Sequence, residues 1–327
     1  MRDEFARDIN YLRISVTDRC NLRCVYCMPP GGVSLMEHDR ILRNEEFLTI
    51  IRAAVKTGIR KIRLTGGEPL VRKGIGDLVR EIGRLPEIDD LALTTNGILL
   101  PQYAYALKKA GLKRVNISLD TLKPERFREI TRVGELGQVW AGIKAARRVG
   151  LKPIKLNVVV MRGFNDDEIM DFVQLTKEMP LHVRFIELMP IGTSDSWAKD
   201  KMITVPEIQK LIADSGLNLE PAGTVAGNGP ARYFRAPGAV GTVGFISAIS
   251  NHFCADCNRL RLTSEGQLRP CLQSPVEVDL RTPLRASQSE DELAELIEQT
   301  VAMKPERHTM VTEGWHENTR TMSQIGG

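Results

Sequence analysis

Nowhere do the 327 residues contain the run of about 18 apolar residues that a membrane-spanning helix requires. The start of the chain, MRDEFARDINYLRISV, lacks the apolar core and small-residue cleavage site of a secretory signal, so a cytoplasmic protein is expected. Low-complexity tracts and repeats of solenoid length are absent too. Charge of one sign is in short supply: 45 Lys and Arg against 41 Asp and Glu leave +4. That excess implies neither a nucleic-acid nor a membrane partner unless the cations converge on one place. Aromatic residues, at 5%, give little material for a stacking surface that would read RNA.

What remains is an ordinary globular composition, 42% apolar and 26% charged, long enough for a large domain with an appendage or for two domains. Residues 1–194 alternate strand-like and helix-like segments. Strands are expected at 11–16, 60–65, 90–95, 113–119, 154–160 and 182–188, and helices at 44–58, 75–85, 101–111, 137–150 and 165–179. Asn44 with Glu46, and Asn165 with Glu168 at capping-box spacing, mark helix starts. Six β/α units in a row imply an α/β fold with a parallel sheet, either doubly wound or a complete or partial barrel. From residue 195 to 327 the texture is turn-rich, with helices expected at 205–216 and 289–303, and reads as a smaller α+β appendage.

A parallel sheet covered on both faces has nearly continuous apolar strands. Here alternate positions are polar: Arg13, Ser15 and Thr17; Arg63 and Thr65; Thr94 and Asn96; Asn116, Ser118 and Asp120; Lys155 and Asn157. Period two places each set on one face. Five strands with the same pattern point to an enclosed polar cavity, into which Arg13, Arg63, Lys155 and Arg184 would bring positive charge for a polyphosphate.

The six cysteines form two sets, Cys20, Cys24, Cys27 and Cys254, Cys257, Cys271. A reducing compartment and a large chain argue against disulfides. Zinc, completed by His38 in the first set or His252 in the second, is one reading. The other is a four-iron cluster on three thiolates, with one iron open to an exogenous ligand.

The string C-x₃-C-x₂-C in TDRCNLRCVYCMP, with Tyr26 before its last cysteine, resembles the signature of the radical S-adenosylmethionine superfamily, and GGEP at 66–69 resembles that superfamily's motif for the methionine amino group. The second set, C-x₂-C-x₁₃-C in NHFCADCNRLRLTSEGQLRPCL, and the terminal Gly326-Gly327 make the whole chain similar to the GTP 3′,8-cyclase family of molybdenum-cofactor biosynthesis. That resemblance implies a partial, six-stranded TIM-like barrel with an iron–sulfur appendage. It implies two [4Fe-4S] clusters, with S-adenosylmethionine on the open iron of the first and guanine on the second. One electron would cleave the sulfonium to a 5′-deoxyadenosyl radical, which would take the ribose 3′ hydrogen so that C3′ adds to guanine C8. By the same likeness Tyr26, Gly67, Ser118 and Met189 contact S-adenosylmethionine, although Met189 also suits a core position. Arg13, Arg63, Thr94, Lys155 and Arg184 hold GTP. Arg259, Leu260 and Arg261 contact it, and the two arginines with Gly326 and Gly327 serve catalysis. An electron donor, a downstream pyranopterin-forming enzyme and a homodimer are the implied partners. A radical S-adenosylmethionine peptide-modifying enzyme and a zinc-stabilised binding module are the competing expectations.

Overall fold

The computed structural model describes residues 1–33, 36–189, 191, 200–227, 229–308 and 320–326. Six strands run parallel and in sequence order: β1 (Tyr11–Ser15), β2 (Lys61–Thr65), β3 (Asp90–Thr95), β4 (Arg114–Ser118), β5 (Ile154–Val160) and β6 (His182–Glu187). The crossovers contain α1 (Asn44–Lys56), α2 (Ile75–Gly83), α3 (Leu100–Lys109), the pair α4 (Pro124–Thr131) and α5 (Leu136–Arg148), and α6 (Ile169–Glu178). The strands match expectation to within a residue at either end. Helix α4 has no counterpart among the expected helices, although Pro124 and Glu125 occupy its first turn, a favoured start.

Alternation sorts the strands into two faces as predicted. Leu12, Ile14, Ile62, Leu64, Val115, Ile117, Leu156 and Val158 are buried in the main core against the helices. The polar set turns to the opposite, concave face. The expected Asn165–Glu168 capping box is not made. A short 3₁₀ turn over Asp166–Glu168 precedes α6, and Glu168 instead accepts from Thr121 Oγ1 and the Leu122 amide, both at 2.6 Å. Asn165 is drawn away by the Met161 amide and the carbonyls of Asp120 and Val159. Two buried polar residues are satisfied by loop backbone, and the cap is forgone.

After β6 come α7 (Val205–Asp214), β7 (Glu220–Pro221), β8 (Arg232–Arg235), β9 (Thr242–Ile246), β10 (Arg259–Leu262), β11 (Gln267–Arg269) and β12 (Val278–Asp279). Then follow α8 (Arg281–Arg285), α9 (Glu290–Ala302) and the short α10 (Met322–Ile325). Strand β9 pairs in parallel with β6, and β10 pairs in parallel with β1. The later segment therefore adds strands to both edges of the same twelve-stranded sheet, in the order β12-β11-β10-β1-β2-β3-β4-β5-β6-β9-β8-β7. The barrel part is partial and TIM-like, and the carboxyl ends of its strands open onto one cavity.

Candidate active site

The first triplet lies on the loop after β1. Its turn is closed by the amides of Cys27 and Met28 on the Cys24 carbonyl, at 3.0 and 3.2 Å. The carboxyl end of α4 braces it from outside: the amides of Arg23 and Val25 donate to the carbonyls of Thr131 and Ile130, both at 3.0 Å. Arg132, at φ +64°, donates to the carbonyls of Arg23 (2.7 Å) and Met28 (3.0 Å). The GGEP turn presses against the approach to this loop. A Cβ on Gly66 would lie 2.5 Å from the Thr17 carbonyl and one on Gly67 2.4 Å from that of Arg19, so neither position has room for a side chain.

The second triplet is built by a 3₁₀ turn at Cys254–Asp256 and by the β10–β11 hairpin. Arg261 pairs with Arg269 across that hairpin, which returns Cys271 beside Cys257 and accounts for the thirteen residues between them. All six cysteines are free thiols, and all six line the one cavity. Among the described residues no three His, Cys, Asp or Glu side chains converge as they would around a single metal ion. His38 is exposed and His252 packs edge-on against His308, outside the cavity lining.

The electrostatic surroundings of the two triplets differ most at Cys257, whereas burial pushes Cys254 up as it does the first set. Burial, with the neighbouring carboxylates Glu68 and Asp120, pushes Cys20 up to about 11 and Cys27 up to about 12. Burial works the same way on Cys257, but Arg259 and Lys304 outweigh it and bring this thiol down to about 6. Arg259 Nη2 reaches its sulfur at 3.5 Å.

Between the triplets runs a row of guanidinium groups. Register places Arg261 on β10 beside Arg13 on β1, and Arg13 beside Arg63 on β2. Like charges directly opposed across strands are destabilising. Burial and its neighbours Arg13, Arg114 and Arg184 hold Arg63 well below its ordinary pKa. Several buried donors here have no protein acceptor among the described residues: Arg13 Nε, Arg63 Nε and Nη2, and Arg184 Nε. Orphaned donors on converging arginines are the signature of a site for a multiply charged anion.

Tyr26 donates to Asp120 at 2.6 Å, and Asp120 accepts from the Val159 amide at 2.8 Å, which fixes the aromatic ring of the first loop to β4 and β5. Burial raises Asp120 to about 6. Glu68 accepts from Leu70 N, Thr95 Oγ1 and Asn96 N, and burial raises it to about 7. The sequence marks Asp120 through its alternating polar positions and Glu68 through GGEP, without giving either a role of its own.

Of the sequence-predicted residues, Arg13, Tyr26, Arg63, Gly67, Thr94, Ser118, Arg184, Met189, Arg259 and Arg261 line the cavity with the six cysteines. Met189 also packs against the small apolar cluster that contains Ile325 of the tail, which fits its core reading. Lys155 is buried at the start of β5, where its Nζ donates to the Ala226 carbonyl at 2.8 Å and lies 5.5 Å from the Tyr233 ring centroid. Burial, with Arg184, Arg114 and Arg63, lowers its pKa to about 6. Leu260 must be corrected: between the two inward arginines it turns to the helix face and packs in the main core, so its side chain does not reach the cavity. Gly326 is buried at φ +84°, and its carbonyl accepts from Arg261 Nη1. A Cβ on it would meet Ser15 Cβ at 2.9 Å and Thr65 Cγ2 at 3.0 Å. Gly327 lies outside the described residues.

Comparison with known proteins agrees with this geometry. The profile of the radical SAM superfamily matches residues 14–176, and that described as Molybdenum Cofactor Synthesis C matches residues 181–310. The crystal structure of Streptococcus suis SuiB bound to S-adenosylmethionine has a similar fold. Its TM-score is 0.58 at 15% identity, over 84% of this chain and 64% of that one. Three thiols with no fourth ligand among the described residues, at the mouth of a partial barrel and beside a glycine turn, fit the radical SAM superfamily whose profile matches here. GTP 3′,8-cyclases of Heliobacterium modesticaldum and Pelotomaculum thermopropionicum are each 58% identical over 327 residues, the full length of both chains compared. One from Moorella thermoacetica is 56% identical over the same span. The chain belongs to the GTP 3′,8-cyclase family.

Proposed function

We propose that this enzyme converts GTP to (8S)-3′,8-cyclo-7,8-dihydroguanosine 5′-triphosphate, the first step of molybdenum-cofactor biosynthesis. Family membership at 58% identity over the full chain supports the reaction. The observation that carries the site assignment is the Arg261–Arg13–Arg63 row with its orphaned donors, lying between two cysteine triplets in one cavity. Residues 1–194 would supply the first cluster and residues 195–327 the second, with the tail.

The donor set fits both groups: soft thiols in threes, leaving an iron open in each cluster. When bound, the first cluster and S-adenosylmethionine would supply the one-electron radical chemistry needed at the ribose 3′ position. The chain's own residues bind and orient. Cys20, Cys24 and Cys27 hold the first cluster. The carboxylates of Glu68 and Asp120 make that end hospitable to a sulfonium and an ammonium. Tyr26, Gly67, Ser118 and Met189 line the space there. Arg13, Arg63, Thr94, Lys155 and Arg184 hold the triphosphate, and Lys155 exchanges the Ala226 carbonyl for phosphate. Arg259 and Arg261 steer the nucleotide toward the second cluster on Cys254, Cys257 and Cys271. Arg261 also holds the Gly326 carbonyl, so the tail and the arginine row act together. Only glycine allows the tail to approach strands β1 and β2 this closely. Burial inside the barrel excludes water from the reacting carbon.

No described helix is long and apolar enough to cross a membrane. The reading places the enzyme in the cytoplasm as a homodimer, served by a low-potential electron donor and followed by a pyranopterin-forming enzyme. Its test is anaerobic incubation with S-adenosylmethionine, dithionite and either GTP or ATP, read by mass spectrometry. The reading requires 5′-deoxyadenosine together with a cyclised nucleotide from GTP. Deoxyadenosine without any change to GTP would refute it.

A further inference from the structure

The second triplet is assembled from separate pieces of chain: the turn at Cys254, the approach to β10 at Cys257 and the end of β11 at Cys271. The β10–β11 hairpin and the turn at 254–257 bring these arms together, and fixing their spacing calls for further ties. Two buried cations supply them. Lys304, only 3% exposed, follows α9 and lines the cavity. Its Nζ donates to the Arg259 carbonyl at 2.9 Å and to the Pro270 carbonyl at 2.7 Å. The first carbonyl lies two residues after Cys257 and the second one residue before Cys271, so a single side chain spans both arms. An ammonium has three donors, and two carbonyls engage two of them. Cys257 and Cys271 both act electrostatically on this ammonium, opposing the effect of its burial.

Arg7 holds the third arm. Its Nη1 donates to the Cys254 carbonyl at 2.9 Å and to that of Glu306 at 2.8 Å, and its Nη2 to that of Pro305 at 2.8 Å. Its Nε pairs with Asp3 at 2.6 Å, and both side chains are buried. Pro305 and Glu306 directly follow Lys304, so the two cations are linked through one short stretch of chain. Arg7 carries its own counter-charge in Asp3. Lys304 hydrogen-bonds only to neutral carbonyls, so its nearest counter-charges are the sulfurs of Cys257 and Cys271, and a buried ammonium without them is costly. An iron–sulfur cluster on three thiolates would strengthen that compensation.

We propose that Lys304 is a positioning residue of the second cluster, fixing the span between the Cys257 and Cys271 arms while its charge raises that cluster's reduction potential, and that Arg7 anchors the Cys254 arm to it. This rests on reading Cys254, Cys257 and Cys271 as cluster ligands. Net charge and hydrogen bonding near the sulfurs are the protein's levers on cluster potential.

The test uses the full-length chain with Cys20, Cys24 and Cys27 changed to Ala, so that only the second cluster forms. It is reconstituted with iron and sulfide and titrated electrochemically while its electron paramagnetic resonance is followed. Lys304→Met is expected to shift the potential negative or to lose the cluster, with Lys304→Arg staying close to the parent. Arg7→Met is expected to lower the iron retained per chain, and Arg7→Lys to restore part of it. In the converse background, with Cys254, Cys257 and Cys271 changed to Ala, Lys304→Met should leave the first cluster's potential unmoved. An unchanged second-cluster potential in Lys304→Met overturns the proposal. So does an equal shift or equal loss in Lys304→Met and Lys304→Arg, or retention of full iron in Arg7→Met. If the parent chain with only the second triplet holds no cluster at all, the ligand assignment itself fails, and that result is distinguishable from all the others.

Discussion

The two cysteine triplets face each other across one cavity and are held in different ways. The first is braced from outside by the end of α4 and by Arg132 on two carbonyls, and at Cys20 burial with the Glu68 carboxylate outweighs Arg23 and the hydrogen bonds from the Leu22 amide and Asn96. The second is braced from within by Lys304 and flanked by Arg259 and Arg261. The difference teaches which guest belongs where. A sulfonium with an ammonium suits the end that carries Glu68 and Asp120, and a triphosphate suits the Arg13, Arg63 and Arg184 cluster between the triplets. A single cavity can thus orient two ligands of opposite charge before any specific contact is made.

The sharpest way to break the comparison is to remove one end. Changing Cys24 to Ser should abolish the first cluster and with it all formation of 5′-deoxyadenosine, while the second cluster remains visible by electron paramagnetic resonance. Deleting Gly326 and Gly327 comes next. Iron content and 5′-deoxyadenosine should persist and cyclisation should be lost, because Arg261 loses the carbonyl it holds. Full cyclisation in the truncated chain would remove the tail from the mechanism.

A smaller effect is expected within the arginine row. Arg63→Met should raise the GTP dissociation constant roughly ten- to a hundredfold, since a hydrogen bond to a charged group contributes ~1.5–3 kcal/mol. Affinity for S-adenosylmethionine should change little, and equilibrium binding of each ligand checks both statements.

Lys155 gives the comparison a pH dependence. Its pKa of about 6 in the free enzyme leaves it mostly neutral at pH 7. A bound triphosphate favours the ammonium and raises that pKa, so between the free and bound values binding takes up a proton. GTP affinity should therefore fall as pH rises above about 6, by up to about tenfold per unit. Calorimetry in buffers of differing ionisation enthalpy should show the proton uptake, and Lys155→Met should abolish it. The smallest effect lies far from both triplets. Ser289 caps α9 in a capping box, and Ser289→Ala should cost about 1 kcal/mol of stability without altering either cluster.

Period and spacing made much of this legible in the sequence. Alternating polarity located the cavity face on five strands, and the cysteine spacing located both triplets. The rest depends on pairing between distant segments. That β9 and β10 would join opposite edges of the sheet is a non-local fact with no local signature. For the same reason the Arg261–Arg13–Arg63 row appears only once register is known. Arg7 and Lys304 were silent because their partners are backbone carbonyls, which every residue has. Leu260 was misplaced because likeness to a motif was carried across a contiguous triplet, when strand alternation should have turned its middle residue outward.

The division of labour between the triplets is tested most directly by changing Cys254, Cys257 and Cys271 together to Ala and assaying with S-adenosylmethionine, dithionite and GTP. The account predicts that 5′-deoxyadenosine still forms while no cyclised nucleotide appears. Cyclised nucleotide at the wild-type rate would contradict it.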